Sequence, residues 1–394
     1  MPYNGREQGL GLTQIFDIVT LLIFIPIQWR VTVLWLRMAR QRSLPLGAIV
    51  LLDTLFAIGW LLDFIPSVDG QFTPGKLAFW WRTLTLAYGM TATVALALQI
   101  LLHALGKLAD RAKFSPGRRR ALTTVGNVAL AAPFVALSYG ALIGRLDFHV
   151  REIDLPIPGL PADLDGLRIL HLSDIHLSEF LSEAQLAHVI DAANNLRPHL
   201  AAITGDLISA PGDPLDACLR QLARLKTDAG VVGCMGNHER FARVESYAAT
   251  AGRRLGLSFL RDQSQALRFG QATMNIAGVD YQPLFEKANY LRGAEKLVQP
   301  GDFNLLLSHN PDVFPVAARQ GYNLMLSGHT HGGQVSVEIL DQAINPARFL
   351  TPYFYGLYRK GSAAAYVTRG IGTIGIPARI GAPPEISLLR LRKV

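Results

Sequence analysis

Residues 167–176 read LRILHLSDIH. The apolar run Leu167–Leu172 has the length of a buried strand, and it stops in Ser173-Asp174-Ile175-His176. The same arrangement recurs downstream. Leu200–Ile203 stops in Thr204-Gly205-Asp206, and Val231–Met235 in Gly236-Asn237-His238-Glu239. Phe303–Leu307 stops in Ser308-His309-Asn310, and Asn323–Leu326 in Gly328-His329-Thr330-His331. Between the first three runs lie Ser182–Leu196, opened by a capping box of Ser182 and Gln185, and the helical stretch Leu215–Lys226. Strand, helix, strand, helix, strand reads as βαβ units with a parallel sheet.

In open α/β sheets, ligands bind beyond the carboxyl ends of the strands. One Asp or His after a strand is ordinarily a cap or a solvated loop. Five strand ends that together present Asp174, His176, Asp206, Asn237, His238, His309, His329 and His331 exceed that explanation. The set mixes imidazole nitrogens with carboxylate and amide oxygens and contains no thiolate. Such a set suits Mn, Fe, Zn or Co rather than a Cys-type zinc site. It is also too large for one ion. Two divalent ions roughly 3.5–4 Å apart can hold a hydroxide and clamp both oxygens of an in-line displacement at phosphorus.

The order D-x-H, G-D, G-N-H-E, H, G-H-x-H resembles the calcineurin-like metallophosphoesterase superfamily over about residues 165–392. The segments Ser308–Asp312 and Ser327–Gln334, with Arg369-Gly370-Ile371-Gly372 through Pro383-Pro384-Glu385, look like its membrane-anchored bacterial branch, and are similar also to transmembrane proteins with a metallophosphoesterase domain. The resemblance implies an α/β fold, a four-layer α/β/β/α sandwich with two sheets and outer helices. Later runs near Thr273–Val279, Val335–Ile339, Ala364–Thr368 and Ile386–Leu391 would build much of the second sheet. It implies two divalent metal ions: Asp174, His176, Asp206 and His331 around the first, and Asp206, Asn237, His309 and His329 around the second, with Asp206 as the bridge. His238 would ligate neither; it would stabilise the phosphoryl transition state or protonate the leaving oxygen.

Other residues carry less. His171 reads as a core or supporting histidine, and His188 and His199 as structural. Glu239 reads either as a support to the ligands or as an ordinary salt-bridge partner. Tyr353, Phe354, Tyr355, Tyr358, Arg359 and Lys360 read as a folded loop, with a lipid-headgroup contact as the sharper alternative. Cys218 and Cys234 are too few for a disulfide scaffold; they read as buried small apolar residues, or as one bridge.

Upstream of residue 150 the chain changes character. Over its 394 residues 50% are hydrophobic and only 17% charged, which excludes intrinsic disorder. The net charge of +8 suggests nucleic acid until it is located. The first 151 residues hold 15 Lys/Arg against 7 Asp/Glu, and the remainder holds 23 of each. The catalytic part is therefore electrically balanced, and no nucleic-acid partner is expected. Four apolar stretches, at about 12–35, 44–64, 77–105 and 121–144, have the ~20 residues of spanning helices. They predict a four-helix transmembrane domain over 1–150 and a metallophosphoesterase domain over 151–394. Arg30, Arg37, Arg40 and Arg42 follow the first stretch, and Lys107, Arg111, Lys113 and Arg118–Arg120 the third. The positive-inside rule then predicts an integral protein of the bacterial cell membrane with an extracytoplasmic catalytic domain.

The expected reaction is hydrolysis of phosphate mono- or diesters. Location favours a phospholipid or lipid-linked substrate and contact with membrane lipids. Two alternatives are a pyrophosphatase acting on a nucleotide-linked lipid precursor, like the UDP-diacylglucosamine hydrolases, and a non-catalytic membrane receptor with a phosphatase-like domain.

Overall fold

The computed structural model of the chain describes residues 76–110 and 116–394, apart from 285, 340 and 341, together with a few positions among 22–36 and residues 54 and 55. The chain divides into two compact units, Met1–Ser138 and Tyr139–Val394.

Two helices stand where the third and fourth apolar stretches were read. Helix α1 spans Lys76–Asp110 and α2 spans Pro116–Leu142. Pro116 opens α2 at a position where a missing N–H does no harm, and Pro133 lies in its interior. Within α1 the Thr91 and Thr93 hydroxyls donate back to the carbonyls of Ala87 and Gly89, so neither polar group is left unpaired among apolar neighbours. Among the described residues no helix is long and apolar enough to cross a membrane, so the expected all-α membrane region is not supported by them. The stretches at 12–35 and 44–64 lie almost wholly outside the described residues.

The second unit is built on two six-stranded sheets. Its strands are β1 (His149–Ile157), β2 (Arg168–Leu172), β3 (Leu200–Thr204), β4 (Val231–Cys234), β5 (Leu257–Phe259), β6 (Gln263–Phe269), β7 (Ala272–Gly278), β8 (Phe303–Leu307), β9 (Leu324–Ser327), β10 (Val337–Ile339), β11 (Gln342–Ile344), β12 (Gly356–Lys360), β13 (Ala363–Val367) and β14 (Glu385–Lys393). The first sheet has the order β1-β14-β2-β3-β4-β5 and the second β12-β13-β9-β8-β7-β6. Strands β2 to β5 run parallel in the first sheet, and β13, β9, β8 and β7 in the second. Helices α3 (Glu183–Asn195), α4 (Leu215–Leu222), α5 (Asn237–Ala242), α6 (Glu245–Arg254) and α7 (Phe314–Gln320) connect them.

Alternation along single strands assembles the layers. Leu200 and Ala202 of β3 meet Phe303, Leu305 and Leu307 of β8 in the core between the sheets. Ala201 and Ile203, one residue out of step, face Val189, Ile190 and Leu219 of α3 and α4. On β8 the odd residue out, Leu306, turns away to Phe314 and Ala317 of α7. A period of two that is apolar on both faces produces a sheet buried on both sides. Cys218 and Cys234 are both free and buried.

Two late runs go elsewhere than expected. Ile386–Leu391 belongs to the first sheet: β14 lies between β1, to which it is parallel, and β2, to which it is antiparallel. Its first five residues are buried, as a central strand requires. The run at Val335–Ile339 does not join the second sheet either; among the described residues β10 pairs with β11 in a separate two-stranded ribbon. The runs Phe303–Leu307 and Asn323–Leu326, read as continuing the first series, form the centre of the second sheet. The carboxyl ends that carry the candidate ligands therefore come from both sheets.

Candidate metal centre

Beyond β2 and β3 the chains do not separate. The amides of Asp174, His176 and Leu177 donate to the carbonyls of Gly205, Asp206 and Leu207 at 3.0, 3.0 and 2.9 Å. This extension of the ladder sets Asp174, His176 and Asp206 side by side. All three adopt left-handed backbone, with φ of 50°, 49° and 53°, and so do His329 and His331 at 75° and 52°. Each such residue costs on the order of 1–3 kcal/mol and persists only where its surroundings over-determine it.

Gly236 precedes α5 because a Cβ there would collide with the carboxylate of Asp206. Gly328 serves the same purpose at the end of β9, where a Cβ would strike Ser173 Oγ and Asp174 Oδ2. Glu239 supports the other side. Its buried carboxylate accepts from the amides of Gly236 (2.8 Å), Asp206 (2.9 Å) and Leu207 (2.7 Å). Of the two roles read for Glu239, these bonds match support of the site loops; among the described residues no ion pair to it is seen. The sequence holds the signal: the Glu stands three residues after the Gly236 cap, at the capping-box position.

From the second sheet, His309 donates Nδ1–H to the Thr204 carbonyl at 2.7 Å, which points Nε2 at Asp206 Oδ2, 3.1 Å away. His329 donates its amide to both oxygens of Asp174 at 3.0 and 3.1 Å, and its Nδ1 lies 3.1 Å from His309 Nε2. His331 Nε2 lies 3.2 Å from His176 Nε2 and 3.4 Å from Asp174 Oδ1.

Three overlapping groups converge, Asp174–His176–His331, His176–Asp206–His238 and Asp206–His309–His329. Asp206 Oδ2 is 3.5 Å from His176 Nε2 and thus stands between the first and the last of them. Two observations test the fit to metal ions. Asn237 Oδ1 is buried and has no hydrogen-bond partner, a penalty that a bound cation would remove. Burial pushes His176 and His329 down to about 3 and His331 well below its ordinary range, so these imidazoles keep free lone pairs, as ligation requires. Burial opposes the charge on Asp206, but His309 and His176 beside it hold its carboxyl well below the usual range. The residues fit divalent ions held by nitrogen and oxygen.

His238 enters the cluster through the one group it shares with His176 and Asp206. Its amide donates to Asp206 Oδ1 at 2.9 Å, and its Nδ1–H donates to the Ser209 carbonyl at 2.5 Å. Only Nε2 is left for chemistry. The ring is edge-on to His176 at 4.8 Å.

His171 proves to be a support. It is fully buried, burial lowers it to about 3, and its Nε2 lies 2.9 Å from the hydroxyl of Thr204, whose carbonyl holds His309. His199 Nδ1 accepts the Arg168 amide, and His188 is exposed on α3. Tyr353 packs against Phe314 and Tyr358, as the folded-loop reading required. Three residues had no reading in the sequence. Arg379, 1% exposed, donates to the carbonyls of His331, Arg369, Gly370, Gly372 and Ala382, tying the last loop to the His331 turn. Tyr281 places its ring 5.7 Å from His329 and 6.0 Å from His309. Phe241 lies edge-on to His238 at 5.8 Å. An arginine satisfied by carbonyls has no partner residue that a sequence could display. Phe241, three residues beyond His238 on one helical turn, was within reach of periodicity.

The family model of calcineurin-like phosphoesterases matches residues 167–333. The chain is 32% identical over 239 residues to the metallophosphoesterase YkuE of Bacillus subtilis, covering 59% of this chain and 82% of that one. It is 29% identical over 279 residues to a transmembrane protein with metallophosphoesterase domain of Danio rerio, covering 68% of this chain and 62% of that one. It is 28% identical over 228 residues to the phosphodiesterase YaeI of Escherichia coli, covering 57% of this chain and 82% of that one.

Proposed function

The chain belongs to the calcineurin-like metallophosphoesterases, metal-dependent hydrolases of phosphoric esters, and from that premise we propose that it is a membrane-anchored phosphodiesterase or phosphomonoesterase with a two-metal centre. Asp174, His176, Asp206 and His331 hold one divalent ion; Asp206, Asn237, His309 and His329 hold the other. The observation that carries this reading is Asp206 Oδ2, within 3.1 and 3.5 Å of one imidazole from each group. Bound there, two ions supply Lewis-acid activation of water and neutralisation of the phosphoryl oxygens. The chain's own residues do the rest. The carboxylates and imidazoles set where the ester binds. His238, with Nδ1 committed to Ser209, directs Nε2 at the leaving oxygen and delivers a proton to it as the P–O bond breaks and water adds to phosphorus.

The test is direct. Purified full-length protein with Mn²⁺ should release alcohol or phosphate from generic diesters, monoesters or phospholipids. Failure on all three classes overturns the enzyme reading for this chain.

Metal uptake should depend on pH through His309. Burial lowers this group, but Asp206 at 3.1 Å more than offsets that and raises it to about 9 in the metal-free protein. Below pH 9 a proton therefore occupies Nε2, and an entering ion must displace it. Mn²⁺ affinity is expected to fall about tenfold per pH unit between pH 9 and 7, with close to one proton released by calorimetry in buffers of different ionisation heat. A flat affinity across that window contradicts ligation by His309.

Membrane anchoring rests on the apolar stretches upstream of residue 150 and on the similarity to a protein named as transmembrane. Along α1 and α2, Met90, Val94, Ile100, Leu101, Val125 and Val128 stand exposed, an apolar surface that water disfavours. In the catalytic unit Phe349 and Leu350 are 89% and 75% exposed beside Arg348, a combination suited to an anionic lipid interface. A C-terminal reporter that matures only outside the cytoplasm should be active; one active only in the cytoplasm reverses the topology.

A further inference from the structure

We propose that Phe241 and Tyr281 form a subsite for a planar ring on the substrate, so that aryl or nucleoside phosphoesters bind better than alkyl ones. The proposal rests on the reading of His238 as the donor to the leaving oxygen. If Nε2 meets that oxygen, the leaving group lies against whatever flanks the His238 ring. Two rings flank it: His176 of the ligand cluster at 4.8 Å, and Phe241 at 5.8 Å between ring centroids and 69° between planes. Phe241 follows His238 by three residues on α5, which puts both on one side of the helix.

The phenyl ring is 66% exposed, although a ring of that size gains by burial. Its place beside the group read as the donor to the leaving oxygen puts this ring where a planar substituent could cover it. Tyr281 sits 5.7 Å from His329 and 6.0 Å from His309. Arg240, the neighbour of Phe241, donates to the Tyr281 carbonyl at 3.4 Å and links the two elements. Two separate rings on two elements suit a flat group that stacks on one face. An acyl chain would instead call for a continuous aliphatic groove.

Binding can be read apart from turnover. The probes are phenyl methylphosphonate and n-butyl methylphosphonate, titrated calorimetrically into Mn²⁺-loaded full-length protein. Wild type should bind the phenyl probe about tenfold more tightly than the butyl probe, the scale of one ring stacking. Phe241→Ala should remove that preference, with the metal content unchanged, and Phe241→Trp should restore it. Phe241→Leu should not restore it. Equal wild-type affinity for the two probes, or full rescue by leucine, overturns the planar-ring subsite and leaves the phosphoesterase reading intact. No binding of either probe to metal-loaded wild type overturns the phosphoester site itself.

Discussion

Asp206→Asn is expected to strip the protein of metal and of phosphoesterase activity together. The substitution changes no volume, so any effect is electrostatic. Oδ2 faces His309 Nε2 at 3.1 Å and His176 Nε2 at 3.5 Å, and Oδ1 accepts the His238 amide at 2.9 Å. An amide in this position puts a donor either against the His238 N–H or against His309, and it removes the one carboxylate that serves both ligand groups. Transition-state stabilisation by the ions is worth several kcal/mol, so losing about 4 kcal/mol lowers kcat/KM by ~10³-fold. Elemental analysis should find less than one ion per chain, with circular dichroism reporting an intact fold. An Asp206→Asn protein that keeps two ions and wild-type turnover would remove Asp206 from the centre.

His238→Ala should separate what Asp206→Asn joins. The imidazole shares a convergent group with His176 and Asp206, but its Nδ1 is bound to Ser209, and its backbone amide rather than its ring donates to Asp206. Metal content should therefore stay at the wild-type value while kcat falls by ~10²–10⁴, the range for a lost general acid. The loss should depend on the ester. An acidic nitrophenol leaves without a proton, so a nitrophenyl diester should lose much less than one with an alkyl leaving group. A uniform loss across both would assign His238 to phosphoryl stabilisation alone, and a loss of metal would make it a ligand.

The strand ends were legible because each obeys local rules. A short apolar run followed by Gly, Asp, His or Asn within one turn can be read without knowing its neighbours, and seven of the eight quoted side chains, all but Asn237, fall into overlapping groups. What was not legible is pairing. β14 lies between β1 and β2, with His149 opposite Glu385, and a period of two says that a strand is buried without saying beside what. The same limit hid the supports. Glu239 reads as an acid beside a histidine until its carboxylate is seen under three amides of two loops. Arg379 is fully buried yet faces carbonyls, and carbonyls are common to every residue.

The left-handed turns at Asp174, His176, Asp206, His329 and His331 bear on the lifetime of the chain as well as on its chemistry. Whatever binds only the folded form adds to its stability by mass action. A domain has a margin of roughly 5–15 kcal/mol, and five strained residues draw on it when the ions are absent. Scarcity of metal would then act on abundance before it acts on rate: newly made copies that never load would open more often and fall to proteases. The amount of this protein in a cell would follow the metal supply, with no regulator of its synthesis involved.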